Sequence, residues 1–263
     1  MRNWRLLRLE TSNAFMNMAV DEAVLRARIE GMVPNTLRFF RWKPSAVSVG
    51  RFQDLPNVVN IENCKKHGVD VVRRISGGGA VYHDYDGEIT YSVVVSLKDL
   101  GPADVISAYK LICNGLIEAI QLLGIEADFS LGDSKQCPNI TVNGRKISGS
   151  AQSYKKGVLL QHGTLLVDAN LEKMFTLLKV SWSQACIDVV NVAQRKITSI
   201  KQELGSGISL DEAYHALVKG FQKALKIQMK EGELISYERT LAQKLCREKF
   251  ATDNWNLHGK APD

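Results

Sequence analysis

The sequence predicts an α/β protein of the α+β type, with a mixed, largely antiparallel β-sheet flanked by α-helices. Three observations predict it. The β-branched run Ile89–Val95 has the make-up of a central strand. Val105–Leu123 repeats Ala108, Leu111, Ile112, Gly115, Ala119, Leu122 and Leu123 at helical spacing, and Gly124 ends it. Strands and helices follow one another without the regular β-α alternation of a Rossmann fold.

Taken in order, Trp4–Leu9 and Leu37–Trp42 read as strands on either side of a helical stretch from about Asn13 to Glu30. Ala46–Gly50 is a short third strand. Val58–His67 is helical and stops at Gly68, and Val69–Arg73 is a strand that runs into Gly77-Gly78-Gly79. Ile140–Val142, Lys146–Tyr154 and Val158–Val167 read as successive strands, the first two joined by an Asn143-Gly144 turn. Ser209 with Glu212 three residues on is a capping box that opens a helix to about Leu225, and Tyr237–Phe250 is a last amphipathic helix. Residues 179–195 look irregular, as a lid would.

The chain has 263 residues, 45% of them hydrophobic and 24% charged, as in an ordinary globular protein. No apolar run reaches the ~20 residues of a membrane span, and charges interrupt the N-terminus too often for a signal peptide. No membrane partner is expected, and the cytoplasm is the expected location. The five cysteines are scattered with no Cys-x-x-Cys pair, which suggests neither a disulfide framework nor a zinc site. The net charge of +6 suits anionic partners. The basic residues are dispersed rather than grouped with aromatics, so nucleic acid is not expected.

Three segments carry the chemistry. In the first, Arg73-Arg74 leads into Gly77-Gly78-Gly79 and on to Val81-Tyr82-His83-Asp84. Glycines let the backbone approach a ligand and offer N–H groups to phosphate oxygens, and the arginines suit phosphate or carboxylate. The alternative is a glycine-rich turn with a solvated basic pair. In the second, a strand of period two sets Lys146, Ser148, Ser150 and Gln152 on one face and Ile147, Gly149 and Ala151 on the other. A polar face of small residues around one lysine makes a ligand floor, or else an edge strand facing solvent. In the third, His162 and Gly163, followed by Thr164, interrupt an apolar strand, which marks close approach by a ligand or a core histidine at a bulge.

Together, the Arg-Arg-x-x-Gly-Gly-Gly-Ala-Val-Tyr-His-Asp block, Gly-Arg-Lys-Ile-Ser-Gly-Ser-Ala, His-Gly-Thr-Leu-Leu and the closing Lys249-Phe250…Trp255-Asn256 resemble the biotin/lipoate ligase and octanoyltransferase superfamily, specifically its lipoate–protein ligases. The resemblance implies a biotin/lipoate ligase-like catalytic domain over residues 1–263, with the helices of 209–256 packed on it. It implies an enzyme that activates lipoate with ATP and Mg2+ to lipoyl-AMP, then transfers the lipoyl group to a carrier lysine. Lys146 would be catalytic. Arg73, Gly77, Gly78, Gly79, Val81, Tyr82, His83, Asp84, Ser148, Gly149, Ser150, Ala151, His162, Gly163 and Thr164 would bind substrate or adenylate. Val47, Val49 and Val81 are candidates for the lipoyl tunnel. Mg2+ would enter with the ATP phosphates, its protein ligands being unknown.

The implied carrier is a lipoyl domain, such as that of a 2-oxoacid dehydrogenase acyltransferase subunit, or the glycine-cleavage H protein. Single-chain ligases carry a further domain beyond the Trp-Asn motif. Here the sequence stops soon after Asn256, which resembles a two-component ligase served by a small separate accessory subunit. Two features depart from the ligases. Glu88-Ile89-Thr90-Tyr91-Ser92 is closer to the octanoyltransferase branch, and Cys137-Pro138-Asn139 stands where ligases carry Arg-Asn-Asp. The alternatives are therefore a cysteine-dependent octanoyltransferase acting from octanoyl–acyl carrier protein through Cys137, or a non-catalytic subunit that binds lipoate or nucleotide. Cys137 lies closer to Lys146 than the cysteine of that branch usually does.

Overall fold

A computed structural model describes residues 2–101, 104–131, 138–180 and 188–260. The elements are β1 (Arg2–Ser12), α1 (Ala14–Ile29), β2 (Thr36–Trp42), β3 (Ala46–Val49), α2 (Leu55–Val58), α3 (Ile61–Lys66), β4 (Asp70–Arg73), β5 (Val81–His83), β6 (Glu88–Ser96), α4 (Leu97–Leu100), α5 (Val105–Leu122) and β7 (Asp128–Ser130). They continue with β8 (Asn139–Val142), β9 (Arg145–Lys155), β10 (Val158–Leu166), α6 (Leu171–Leu177), α7 (Val189–Gln194), α8 (Ile200–Leu204), α9 (Leu210–Leu225), β11 (Ile227–Glu231), α10 (Ser236–Leu245) and α11 (Asp253–His258). A π turn, Cys246–Phe250, extends α10.

The large sheet has the order β11-β1-β2-β6-β10-β9-β8-β7. β1 runs parallel to β11 and β2, and every other neighbouring pair is antiparallel. The expected mixed, largely antiparallel α/β fold is what forms. A second sheet, β4-β3-β5, lies beside it. Period two distributes the strand residues between two cores. Ile89, Tyr91, Val93 and Val95 of β6 face α5 and α9 through Leu116, Leu217 and Phe221. Phe40, Trp42, Val94 and Leu160 face α1 and α10 through Val24, Ala242 and Leu245. Each such buried side chain contributes about 1.5–3 kcal/mol.

Capping follows sequence closely. Asn13 Oδ1 accepts from the Met16 N–H at 2.9 Å and starts α1. Ser209 and Glu212 form the capping box of α9. Among the described residues α5 is the one helix long and apolar enough to cross a membrane. Here its apolar stripe lies on the sheet and on α9, where Gly115 sits against the Phe221 ring with no room for a Cβ. β5 and β11 escape the sequence reading. β5 has three residues, and β11 follows α9 after Lys226 alone, which turns the chain in a left-handed conformation at φ 51°.

α1 carries more charge inward than its helical period suggests. Asp21 is buried against the Arg38 guanidinium at 2.8 Å, and Glu22 holds Lys249 Nζ at 2.7 Å. Buried charges of this kind persist only when paired. Lys249 also lies over the Trp255 ring at 4.0 Å.

Candidate active site

The α1-facing side of the large sheet and the small sheet enclose a narrow cavity of about 100 Å³. Trp42, Thr90, Gly149, Ala151, His162 and Thr164 wall it from the large sheet, and Ser48, Gly78, Gly79, Ala80, Val81 and His83 from the other side. Lys146, Ser150, Gly163, Arg74, Asn139 and Met18 complete it. A wider depression lies elsewhere, lined by Asp84, Asp86, Asp168, Lys173 and Lys201 among others. It is open and lacks the glycine segments, so the narrow cavity is the candidate site.

Lys146 reaches this cavity by a bulge. Thr141 pairs with Lys146 but Ile140 pairs with Ser148, so Ile147 is an extra residue. Ile147 joins the α5-side core with Ile140 and Val142. Ser148, Ser150 and Gln152 pair with Leu165, Gly163 and Gln161 and take that same side. Lys146 instead lies against Gly149, where a Cβ would stand 2.7 Å from its Nζ. The expected face of Lys146, Ser148, Ser150 and Gln152 is thereby corrected. The ligand side is Lys146, Gly149 and Ala151, because the bulge breaks the period of two between Lys146 and Ser148. The bulge also turns the lysine's own backbone outward, onto Lys196 O and the Thr198 N–H.

Behind Ser150 a polar network faces α5. Ser150 Oγ bonds Tyr91 Oη at 2.8 Å, Gln161 Nε2 donates to Tyr91 Oη, and Tyr109 Oη donates to Pro138 O at 3.0 Å. Burial pushes the Cys113 thiol beside Gln161 up to about 12, so it is no thiolate nucleophile.

The two arginines divide their work. Arg73 spends its guanidinium on carbonyls of Gly50, Arg51, Gln53, Trp255, Asn256 and Leu257. It ties β4 to α11 and does not wall the cavity, contrary to its expected place around the channel. Arg74 is the one that does. Its Nη2 donates to Gly77 O at 2.8 Å and Gly79 O at 3.0 Å, and its Nη1 to Ser48 Oγ at 2.8 Å. Gly78 has φ 88°, and Gly50 packs so tightly on the Gly78 carbonyl that neither position accepts a side chain.

Two histidines stand in the wall, each between a hydroxyl and a carboxylate. His83 Nε2 bonds Ser48 Oγ at 2.7 Å, and its Nδ1 bonds Glu88 Oε1 at 2.6 Å. His162 Nε2 bonds Ser76 Oγ at 2.6 Å, and its Nδ1 bonds Asp21 Oδ2 at 2.9 Å. Burial first, opposed by Asp21, lowers the His162 pKa from its ordinary value.

Gly78, Gly79, Val81, His83, Lys146, Gly149, Ser150, Ala151, His162, Gly163 and Thr164 thus line one cavity. Arg73, Gly77, Tyr82, Asp84 and Ser148 do not line this cavity, and Val47 and Val49 lie in the core behind the small sheet. Ser48, Thr90 and Trp42 are additions, and of the arginine pair only Arg74 is in the wall. A serine inside the apolar Ala46–Val49 strand was a signal for the first. Cys137 lies outside the described residues. So do residues 181–187 of the expected lid, whose residues 189–194 form α7.

The lipoyl protein ligase A/B catalytic domain matches residues 13–222. The chain belongs to that family. Within it, the octanoyltransferase LipM of Brevibacillus brevis is 37% identical over 276 residues, 98% of this chain and 99% of its own. The octanoyltransferase LipM of Bacillus subtilis is 33% identical over 96% of this chain and 97% of its own. A crystal structure of lipoate-protein ligase A bound with ATP superposes with a TM-score of 0.85 at 30% identity, covering 97% of this chain and 99% of that one. The bi-partite lipoate protein ligase of Thermoplasma acidophilum gives 0.85 at 28% identity, covering 100% and 99%.

These relatives correct the expected reaction. Octanoyltransferases at 33–37% identity over nearly their whole length overturn the reading as an ATP-dependent lipoate ligase with Mg2+ and a lipoyl-AMP intermediate. The expected accessory ligase subunit loses its support with it. The fold is common to both kinds of enzyme. The motifs that carry the family are shared by both, and only the departures at Glu88–Ser92 and Cys137–Asn139 set this sequence apart from the ligases.

Proposed function

We propose that the protein is an octanoyltransferase, which moves an octanoyl group from acyl carrier protein to a lysine of a lipoyl-domain carrier through a thioester on Cys137. The length-wide similarity to proteins of that name carries the reading. The cavity supports it: glycine, alanine, valine, methionine and tryptophan supply half of its wall, and Lys146 reaches in. Asn139, two residues after Cys137, is part of that wall.

The chemistry is two acyl exchanges. Cys137 gives up its thiol proton and its sulfur attacks the octanoyl thioester carbonyl. A carbon–sulfur bond to the enzyme forms, the carrier's carbon–sulfur bond breaks, and the carrier sulfur leaves as a thiol with that proton. The amine of the acceptor lysine then attacks the acyl-enzyme. An amide forms, the Cys137 carbon–sulfur bond breaks, and the amine proton ends on the cysteine. The Lys146 ammonium stabilises the oxyanion of both tetrahedral intermediates. No ATP enters either step.

The test mixes protein, octanoyl–acyl carrier protein and an apo lipoyl domain without ATP and follows the carrier by intact mass. A gain of one octanoyl group that is lost in Cys137→Ser, with an acyl-enzyme trapped before acceptor is added, is the expected result. Transfer that survives Cys137→Ser overturns the thioester route.

A further inference from the structure

Resting on the acyl-transfer reading above, we propose that Ser48, His83 and Glu88 form a proton relay for acyl transfer, taking the amine proton and returning it to the leaving sulfur. Hydrogen-bond direction comes first. Arg74 only donates, and it donates to Ser48 Oγ at 2.8 Å. The single Ser48 proton therefore points to its other partner, His83 Nε2, which is the acceptor. The Nδ1–H of His83 then donates to Glu88 Oε1. The ring is fixed in that tautomer, and stacking on Trp42 at 4.0 Å and 17° holds its plane.

The second chain, Ser76–His162–Asp21, has the same order of groups but differs in two ways. Asp21 already faces the Arg38 guanidinium at 2.8 Å, so its charge is compensated. Ser76 is not in the cavity wall, whereas Ser48, His83 and Thr90 all are. Glu88 is wholly buried, accepts from His83 and from Thr90 Oγ1 at 2.6 Å, and has no lysine or arginine partner among the described residues. Its charge is left to stabilise an imidazolium on His83. Among the described residues, the charged and titratable groups around His83 are Glu88 of β6, Arg74 after β4, His162 of β10 and Lys146 of β9, which lines the same cavity.

In the proposed step the acceptor nitrogen forms its bond to the acyl carbon and gives a proton to Ser48 Oγ, while the Ser48 proton moves to His83 Nε2. The carbon–sulfur bond then breaks and the proton returns along the same path to the thiolate. Acid–base relays of this kind are worth roughly 10²–10⁴ in rate.

The experiment measures octanoyl transfer by the full chain with saturating octanoyl–acyl carrier protein and lipoyl domain, over roughly pH 5 to 8. Wild type, Glu88→Gln and His83→Ala are compared, with thermal melts for each. The relay predicts a wild-type rate that rises through one ionisation. It also predicts a loss of about 100-fold in Glu88→Gln with the KM for acyl donor unchanged, and partial rescue of His83→Ala by free imidazole. Folded variants with the wild-type rate and pH profile overturn it, as does loss of activity in His83→Ala that imidazole does not restore. Should those two variants not fold, Ser48→Ala decides: slowed transfer with donor KM intact supports the relay, and an unchanged rate overturns it. A wild type that transfers no octanoyl group removes the underlying reading instead, which is a different outcome from wild-type transfer with indifferent variants.

Discussion

The Nζ of Lys146 lies 2.7 Å from the point where a Cβ on Gly149 would stand. The glycine and the lysine are three residues apart, and the bulged Ile147 brings them to one side of the sheet. Glycine at 149 is therefore a requirement of the lysine's position rather than of backbone freedom.

Gly149→Ala follows from this. The clash falls on the far end of a flexible side chain, so the fold gives little and the lysine moves. Octanoyl transfer is expected to fall about 10²- to 10³-fold, the usual effect of losing one oxyanion donor, while the melting temperature changes little. Steady-state rates and a thermal melt check both halves.

Gly50→Ala meets backbone instead, at the Gly78 carbonyl oxygen. The Gly77–Gly79 loop must shift, because neither partner has a side chain that can swing aside. The expected outcome is a rise of at least about tenfold in the KM for acyl donor together with a lower melting temperature, read from saturation kinetics and calorimetry.

Arg73→Met leaves buried carbonyls of residues 50–53 and 255–257 without their donor. Unmade buried hydrogen bonds set the cost at about 3 kcal/mol, a fall in Tm of roughly 6–12 °C. Early proteolytic release of the segment around α11 would accompany it. A variant as stable as wild type would show that water replaces the guanidinium.

Acid stability should depend on His162. Burial lowers its pKa below the ordinary histidine value, so the folded chain holds it neutral while the unfolded chain binds a proton. Stability contributed by the neutral ring is full above the unfolded value, about 6.5, and is lost as pH falls through it toward the folded value. His162→Gln should flatten that loss. Urea midpoints for both proteins at pH values above and below 6.5 measure the difference, and parallel slopes would rule it out.

Much of this was legible beforehand. Strand and helix periods located β2, β6, α5 and β10, and Asn13, Ser209 and Glu212 marked helix starts as local hydrogen bonding dictates. Lys146 and the glycine segment were legible as chemistry. The facing of Lys146 was not, because one extra residue in a strand reverses a period of two without leaving a mark in composition. Arg73 and Arg74 were indistinguishable as a basic pair; only the arrival of residues 255–257 separates them. Glu88-Ile89-Thr90 departs from the ligase pattern, and Glu88 holds His83 and Thr90. The choice between acyl adenylate and acyl thioester does not follow from the shared motifs; the sequence marks it only at Glu88–Ser92 and Cys137-Pro138-Asn139, which depart from the ligase pattern.

The Arg73 clamp spans 182–184 positions of sequence, and β11 joins β1 across an even longer interval. Contacts so distant along the chain form slowly and late. A chain still emerging from the ribosome, short of Asn256, has β4 and the glycine loop but none of the C-terminal carbonyls that seat Arg73. The Arg73 clamp is thus among the last parts of the described fold to be assembled, because its second set of carbonyl partners arrives only with residues 255–257.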